Sequence, residues 1–199
     1  MATTTKTSAR PAVLNLPNQL TVGRLVLAVV LFGLIALEYY LAGFVVFIVA
    51  ASTDWLDGYF ARRYGMVTTL GRILDPFADK VIICGTFIFL VAVPSNGLRE
   101  LGLQAWVVVL VVGRELLITA LRSFLEQQGA DFSAAMSGKL KMLAQCIAAG
   151  AALFYLTYAP STAPGWVAYT VTASVWATVI LTAYSGVAYV RKAILLVRE

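Results

Sequence analysis

The sequence predicts an all-α polytopic membrane protein of six transmembrane helices preceded by a short interfacial segment, and three observations predict it. Sixty per cent of the 199 residues are apolar, and the mean hydropathy of +0.85 lies well above that of an average soluble domain. Six apolar stretches are each long enough to cross roughly 30 Å of hydrocarbon, which takes about 20 helical residues. The cations are also unevenly placed. With the N-terminus inside, Lys6, Arg10, Arg24, Arg62, Arg63, Arg72, Arg122, Lys139, Lys141, Arg191, Lys192 and Arg198 fall on or near one side, and only Arg99 falls in an outer loop. That asymmetry marks the cytoplasmic face of a multi-pass protein of the cell (inner) membrane, with both termini cytoplasmic. It also accounts for the net charge of +5 without a nucleic-acid partner.

Residues 1–12 are rich in Thr, Ser and Ala with two cations, offer no apolar face to bury, and read as a mobile tail. Residues 13–21 mix apolar and amide side chains around Pro17, which suits an interfacial segment. Asn18 is placed to N-cap the first span; alternatively Asn18, Thr21 and Arg24 present a polar edge to a ligand at the cytoplasmic surface. The first span, Leu20–Tyr40, is longer than a signal h-region and has no clear cleavage site, so it is retained. The second and third spans are Ala42–Ala61 and Ile73–Val93. The fourth, Leu103–Leu125, carries Arg114, Glu115 and Arg122. Ser137-Gly138-Lys139-Leu-Lys141 opens the fifth, Leu140–Tyr158, and the sixth, Trp166–Val190, has aromatics at its ends that suit the membrane interfaces. Outer loops rich in Pro, Ser, Asn and Gly need no function. Cys84 and Cys146 fall in different apolar segments, without metal or disulfide spacing, and read as buried free thiols. No internal repeat is visible, and residues 1–199 form one membrane domain.

The join between the second and third spans carries the chemistry. Asp54 and Asp57 lie three apart and Asp75 and Asp79 four apart, so each pair projects from one helix face. Asp57 is nine residues before Met66 and Asp75 nine after it, which at about 1.5 Å per residue puts them at similar depth. Pro76 suits a helix start. An Asp at mid-membrane costs about 2.5–3.5 kcal/mol on insertion scales, and four clustered acids repel one another. An ion-pair cluster with Arg62, Arg72 and Lys80 is the bland explanation. A site for two divalent ions is the sharper one: hard oxygen donors with no His in the chain favour Mg²⁺, Mn²⁺ or Ca²⁺ over Zn²⁺. Gly58, Ala61 and Gly71 either let helices approach or open room for a flat ligand, and spacing does not choose between these.

Arg114 and Arg122 are eight residues apart, just over two turns, and lie near one face. Glu115 can pair with a cation of another helix, and Arg122 can snorkel. Yet Arg114, Arg122, Lys139 and Lys141 together make a cationic pocket beside the acidic one. Cations bind phosphate and acids bind metal, so a site with both suits a phosphorylated substrate and a metal-bound diphosphate. A divalent-cation transporter would explain buried acids but leaves the basic residues without a role.

Asp54-x2-Asp57-Gly58-x2-Ala61-Arg62-x8-Gly71-x3-Asp75-x3-Asp79 resembles the signature of the CDP-alcohol phosphotransferase family at every fixed position. Asn15-Leu-Pro-Asn18-Gln-Leu-Thr21-Val-Gly-Arg24, Gly113-Arg114-Glu115 through Arg122, and Gly138-Lys139-Leu-Lys141 are similar to those members that use glycerol 3-phosphate. The resemblance implies a homodimer of six-helix subunits with an active site open to cytoplasm and bilayer. It implies two Mg²⁺, or Mn²⁺, held by Asp54, Asp57, Asp75 and Asp79 against the diphosphate of CDP-diacylglycerol, with Asp79 also the general base. Asn18, Thr21, Gly58, Ala61, Arg62 and Gly71 would bind CDP-diacylglycerol, and Arg114, Arg122, Lys139 and Lys141 the phosphate of sn-glycerol 3-phosphate. Rivals within the family use inositol phosphate, serine or phosphatidylglycerol as acceptor. Intramembrane prenyltransferases also present Asp-rich helices, without the Gly-x2-Ala-Arg insert.

Overall fold

The computed structural model describes residues 16–64, 69–94, 97–127, 136–158 and 162–197. Of 54–64 and 69–75, and of Asn18, Lys139 and a few other helix-end positions, only the backbone is described. Among the described residues all regular structure is helical: α1 Leu16–Ala36, α2 Tyr40–Tyr64, α3 Thr69–Ala92, α4 Ala105–Gln127, α5 Met136–Tyr155 and α6 Gly165–Val197. These six match the six apolar stretches in order and centre.

Boundaries differ where hydropathy and hydrogen bonding part company. α1 begins at Leu16, so Asn18 lies in its first turn and does not cap it. Pro76 sits inside α3 and not at its start; lacking an N–H, it cannot donate to the carbonyl four residues back. α6 runs on past Val190 to Val197, because Arg191 and Lys192 end the apolar run without ending good helix formers. By length and composition, Gly165–Arg191 is long and apolar enough to cross a membrane, while Thr21–Ala36, Tyr40–Thr53 and Leu140–Tyr155 are shorter apolar helices. α3 and α4 carry ionisable groups, among them Lys80, Arg114 and Glu115, within their apolar runs.

α1 packs against both α2 and α3, α5 against α6 and α2, and α6 against α4. Small residues let α5 come close: Ala148, Ala149 and Ala152 are fully buried, and a Cβ on Gly150 would touch Phe47 of α2 at 3.6 Å. Leu31, Ile35, Phe47, Phe87, Leu90, Val111, Leu153 and Val171 fill the shared core. Polarity is otherwise inverted. Arg24, Glu115, Lys141, Gln145 and Thr182 are buried, whereas Val29 and Val109 are each 71% exposed. An apolar exterior on this scale is what a lipid-facing surface presents and a water-facing one avoids.

Gly85 is fixed by a close approach. A Cβ there would meet the Phe32 ring at 2.1 Å, and that ring is stacked on Phe89 at 4.9 Å with planes 6° apart. Gly85→Ala must push Phe32 off Phe89, and overpacking of this kind typically costs about 1–3 kcal/mol. A lowered melting temperature of the detergent-solubilised protein is expected; an unchanged one would show that the ring gives way freely.

Candidate active site

Six alternating helices with short connections bring the starts of α1, α3 and α5 and the ends of α2, α4 and α6 to one side of the bundle. The ionisable side chains of the interior gather in that half. On α1, Thr21 and Arg24 lie three apart on one face, and both are buried, at 1% and 2% exposure. Arg24 Nη1 donates to Asp79 Oδ1 of α3 at 2.6 Å. The Asp79 side chain keeps 29% exposure, so the guanidinium is the buried side of the pair and the carboxylate the partly exposed one. A charge-assisted bond of this length orients the acid as well as balancing its charge.

Asp54 and Asp57 stand on the last turns of helical α2, and Asp75 on the first turns of α3. Their side chains, with those of Gly58, Ala61, Arg62, Gly71, Asn18 and Lys139, lie outside the described residues, and so does the expected convergence of the four acids. Among the described residues, no three acid, thiol or imidazole groups are clustered for metal binding. The four acids are all carboxylates, two on α2 and two on α3, the hard oxygen donors that divalent cations such as Mg²⁺ favour.

The cationic side is better resolved. Glu115 Oε1 accepts from Lys141 Nζ of α5 and lies 3.4 Å from Arg114 Nη1. Glu115 is therefore paired across helices with Lys141, as its place in an apolar run requires. The Arg114 guanidinium sits 5.4 Å over the ring of Tyr189 on α6. A methyl added to Gly186 would meet Arg114 Cγ at 3.6 Å, so the arginine runs along α6 from Gly186 toward Tyr189. Tyr189 is 5% exposed and packs with Ile118 and Leu125 of α4. It is thus a core residue beneath a cation, not a member of the interface belt; Tyr169 and Tyr184, exposed, fit that role.

Two donors in this cluster stand out. Nε of Arg114 and Nε of Arg122 are buried and have no hydrogen-bond acceptor among the described residues. Buried unsatisfied donors are rare and call for an acceptor from elsewhere. The helix that carries Asp79, α3, packs against both α4 and α5, which carry the basic residues. Cys84 and Cys146 are free thiols. Sequence reasoning missed Arg24 as the partner of Asp79 and Tyr189 as the platform of Arg114. Neither has a local signal, beyond the polar spacing of Thr21 and Arg24.

Residues 14–189 match the family model described as CDP-alcohol phosphatidyltransferase. The CDP-diacylglycerol–glycerol-3-phosphate 3-phosphatidyltransferase of Bacillus subtilis (strain 168) is 36% identical over 157 residues, covering 71% of this chain and 77% of the relative. The protein of that same name from Escherichia coli (strain K12) is 35% identical over 192 residues, covering 90% and 94%. A probable phosphatidylglycerophosphate synthase of Mycobacterium tuberculosis (strain ATCC 25618 / H37Rv) is 38% identical over 196 residues, covering 94% and 85%.

The Arg24–Asp79 pair can be tested alone. Arg24→Met removes the partner of a half-buried carboxylate and should cost up to about 3 kcal/mol, the low end for a buried pair because Asp79 keeps some solvent. Asp79→Asn in the same chain should recover part of that loss in thermal melts. Strictly additive losses would contradict the pairing.

Proposed function

Because the chain belongs to the CDP-alcohol phosphatidyltransferase family, we propose that it transfers the phosphatidyl group of CDP-diacylglycerol to sn-glycerol 3-phosphate, giving phosphatidylglycerophosphate and CMP. The observation that carries the acceptor side is the pair of buried guanidinium N–H donors on α4 without acceptors among the described residues, at Arg114 and Arg122, with the Lys141 ammonium near the first of them through Glu115. A phosphate monoester supplies the missing acceptor oxygens. The names of the relatives at 35–38% identity support the same acceptor.

The protein lies in the membrane as a multi-pass homodimer, its active site and both termini on the cytoplasmic side. The inverted polarity of the bundle and the segregation of cations to one side support this placement. A bilayer location also suits the substrate: acyl chains stay in lipid while the headgroup enters the polar half of the bundle.

Asp54, Asp57, Asp75 and Asp79 are the residues that would hold two Mg²⁺ ions, or Mn²⁺. Bound there, the ions supply polarisation of the diphosphate and charge neutralisation of the departing CMP. The chain's own groups do the rest. Gly58, Ala61, Arg62 and Gly71, with Asn18 and Thr21, receive the cytidine and diphosphate. Arg114, Arg122, Lys139 and Lys141 hold the acceptor phosphate and so direct the glycerol 1-hydroxyl toward Asp79. Arg24 fixes one carboxylate oxygen of Asp79, which keeps the acid in one orientation as it takes the hydroxyl proton. The alkoxide oxygen forms a bond to the β-phosphorus, the bond from that phosphorus to the bridging oxygen breaks, and CMP leaves with the electron pair.

CMP release from CDP-diacylglycerol by the purified protein should depend on glycerol 3-phosphate; equal turnover with inositol phosphate would overturn the acceptor. Asp79→Asn should lower kcat at least about a hundredfold, the scale of general base catalysis. Arg122→Ala should chiefly raise the KM for the acceptor, and an unchanged KM would remove it from the pocket.

A further inference from the structure

Glu115 has no part in the transfer derived above, yet it lies at the centre of the acceptor-side cations. It is 8% exposed, and one oxygen, Oε1, meets both Lys141 of α5 and Arg114 of its own helix. The Arg114 guanidinium is in turn laid on the Tyr189 ring of α6. Three helices thereby meet at one carboxylate.

Two features of this arrangement bear on ligand binding. Without the carboxylate, the Arg114 and Lys141 cations would face each other in a poorly screened interior and repel; Glu115 holds them at one point while Nε of Arg114 stays without an acceptor. Charge is the second feature. Counted at their usual states, Arg114, Arg122, Lys139 and Lys141 against Glu115 leave three net positive charges, an excess that suits the roughly −1.5 to −2 of a phosphate monoester. Arg114 and Arg122 are about 12 Å apart along α4, and the Arg114 side chain runs along α6 toward Tyr189, the inner end of the bundle.

Resting on the proposed glycerol 3-phosphate reaction, we infer that Glu115 is a positioning residue for the acceptor phosphate. Through Oε1 it places Lys141 and Arg114. It does not touch the reacting atoms. Its removal therefore acts on acceptor binding and leaves CDP-diacylglycerol binding alone.

The test is steady-state CMP release by the purified full chain, titrating each substrate in turn. Glu115→Gln, which keeps the volume and loses the charge, should raise the KM for glycerol 3-phosphate about tenfold and leave that for CDP-diacylglycerol within twofold. Lys141→Met should raise the same KM, and the double variant should raise it by clearly less than the two single effects combined, since Glu115 acts in part through that lysine. Glu115→Asp keeps the charge but withdraws it by one carbon, and an intermediate rise is expected; this readout stands even where the Gln variant fails to fold. An unchanged acceptor KM in either folded variant, equal shifts in both KM values, or additive effects with Lys141→Met would each overturn the inference. Wild-type CMP release that ignores glycerol 3-phosphate would instead sink the proposed reaction, so the two failures are distinguishable.

Discussion

A charge enclosed by apolar side chains is tolerated only when an opposite charge meets it, because desolvation costs several kcal/mol per ion. The interior half of this bundle is arranged around that constraint. Arg24 on α1 is matched by Asp79 on α3, and Glu115 on α4 by Lys141 on α5 and by Arg114 beside it. The pairs connect helices that are otherwise joined by apolar contacts, so they help to specify which faces meet. Aliphatic packing against lipid is nearly degenerate in register; an ion pair is not.

The two pairs leave different remainders. At the first, the buried guanidinium secures one oxygen of an acid that stays partly exposed, so the carboxylate is held without being sealed. At the second, one acid serves two cations, and a positive excess remains with buried donors that have no acceptor in the described protein. In the proposed reaction the first pair serves the proton and the hard cations and the second an anion. A phosphorylated alcohol reacting with a diphosphate needs both, close together. The fold achieves this by packing α3 against both α4 and α5.

Much of the fold was legible because hydropathy alone marks lipid-length helices, and each of the six apolar stretches became one helix. Helix ends were less so. Arg191 ends the apolar run but not α6, and Pro76 looked like a start although α3 is already helical from Thr69. The candidate site was legible as residue types, since acids in an apolar run need a reason to be there. Partnerships were not. Arg24 and Asp79 are 55 positions apart, and nothing local in either joins them. Glu115 announced that it needed a cation, and only packing shows that Lys141 provides it. Tyr189 read as an interface aromatic because its position near a span end hides that it faces inward, under Arg114. The side chains of Asp54, Asp57 and Asp75 lie outside the described residues, so their joint use rests on register and chemistry.

The claim on which the rest turns is that acids of α2 and α3 act together on one divalent-ion site opposite the basic cluster. Titration of the detergent-solubilised protein with Mn²⁺, following free ion by electron paramagnetic resonance, tests it most directly. Tight binding should be lost both when Asp57 alone is changed to Asn on α2 and when Asp79 alone is changed on α3. Mn²⁺ binding that survives either change at full affinity would mean that the two helices do not share a site, and the account would be wrong.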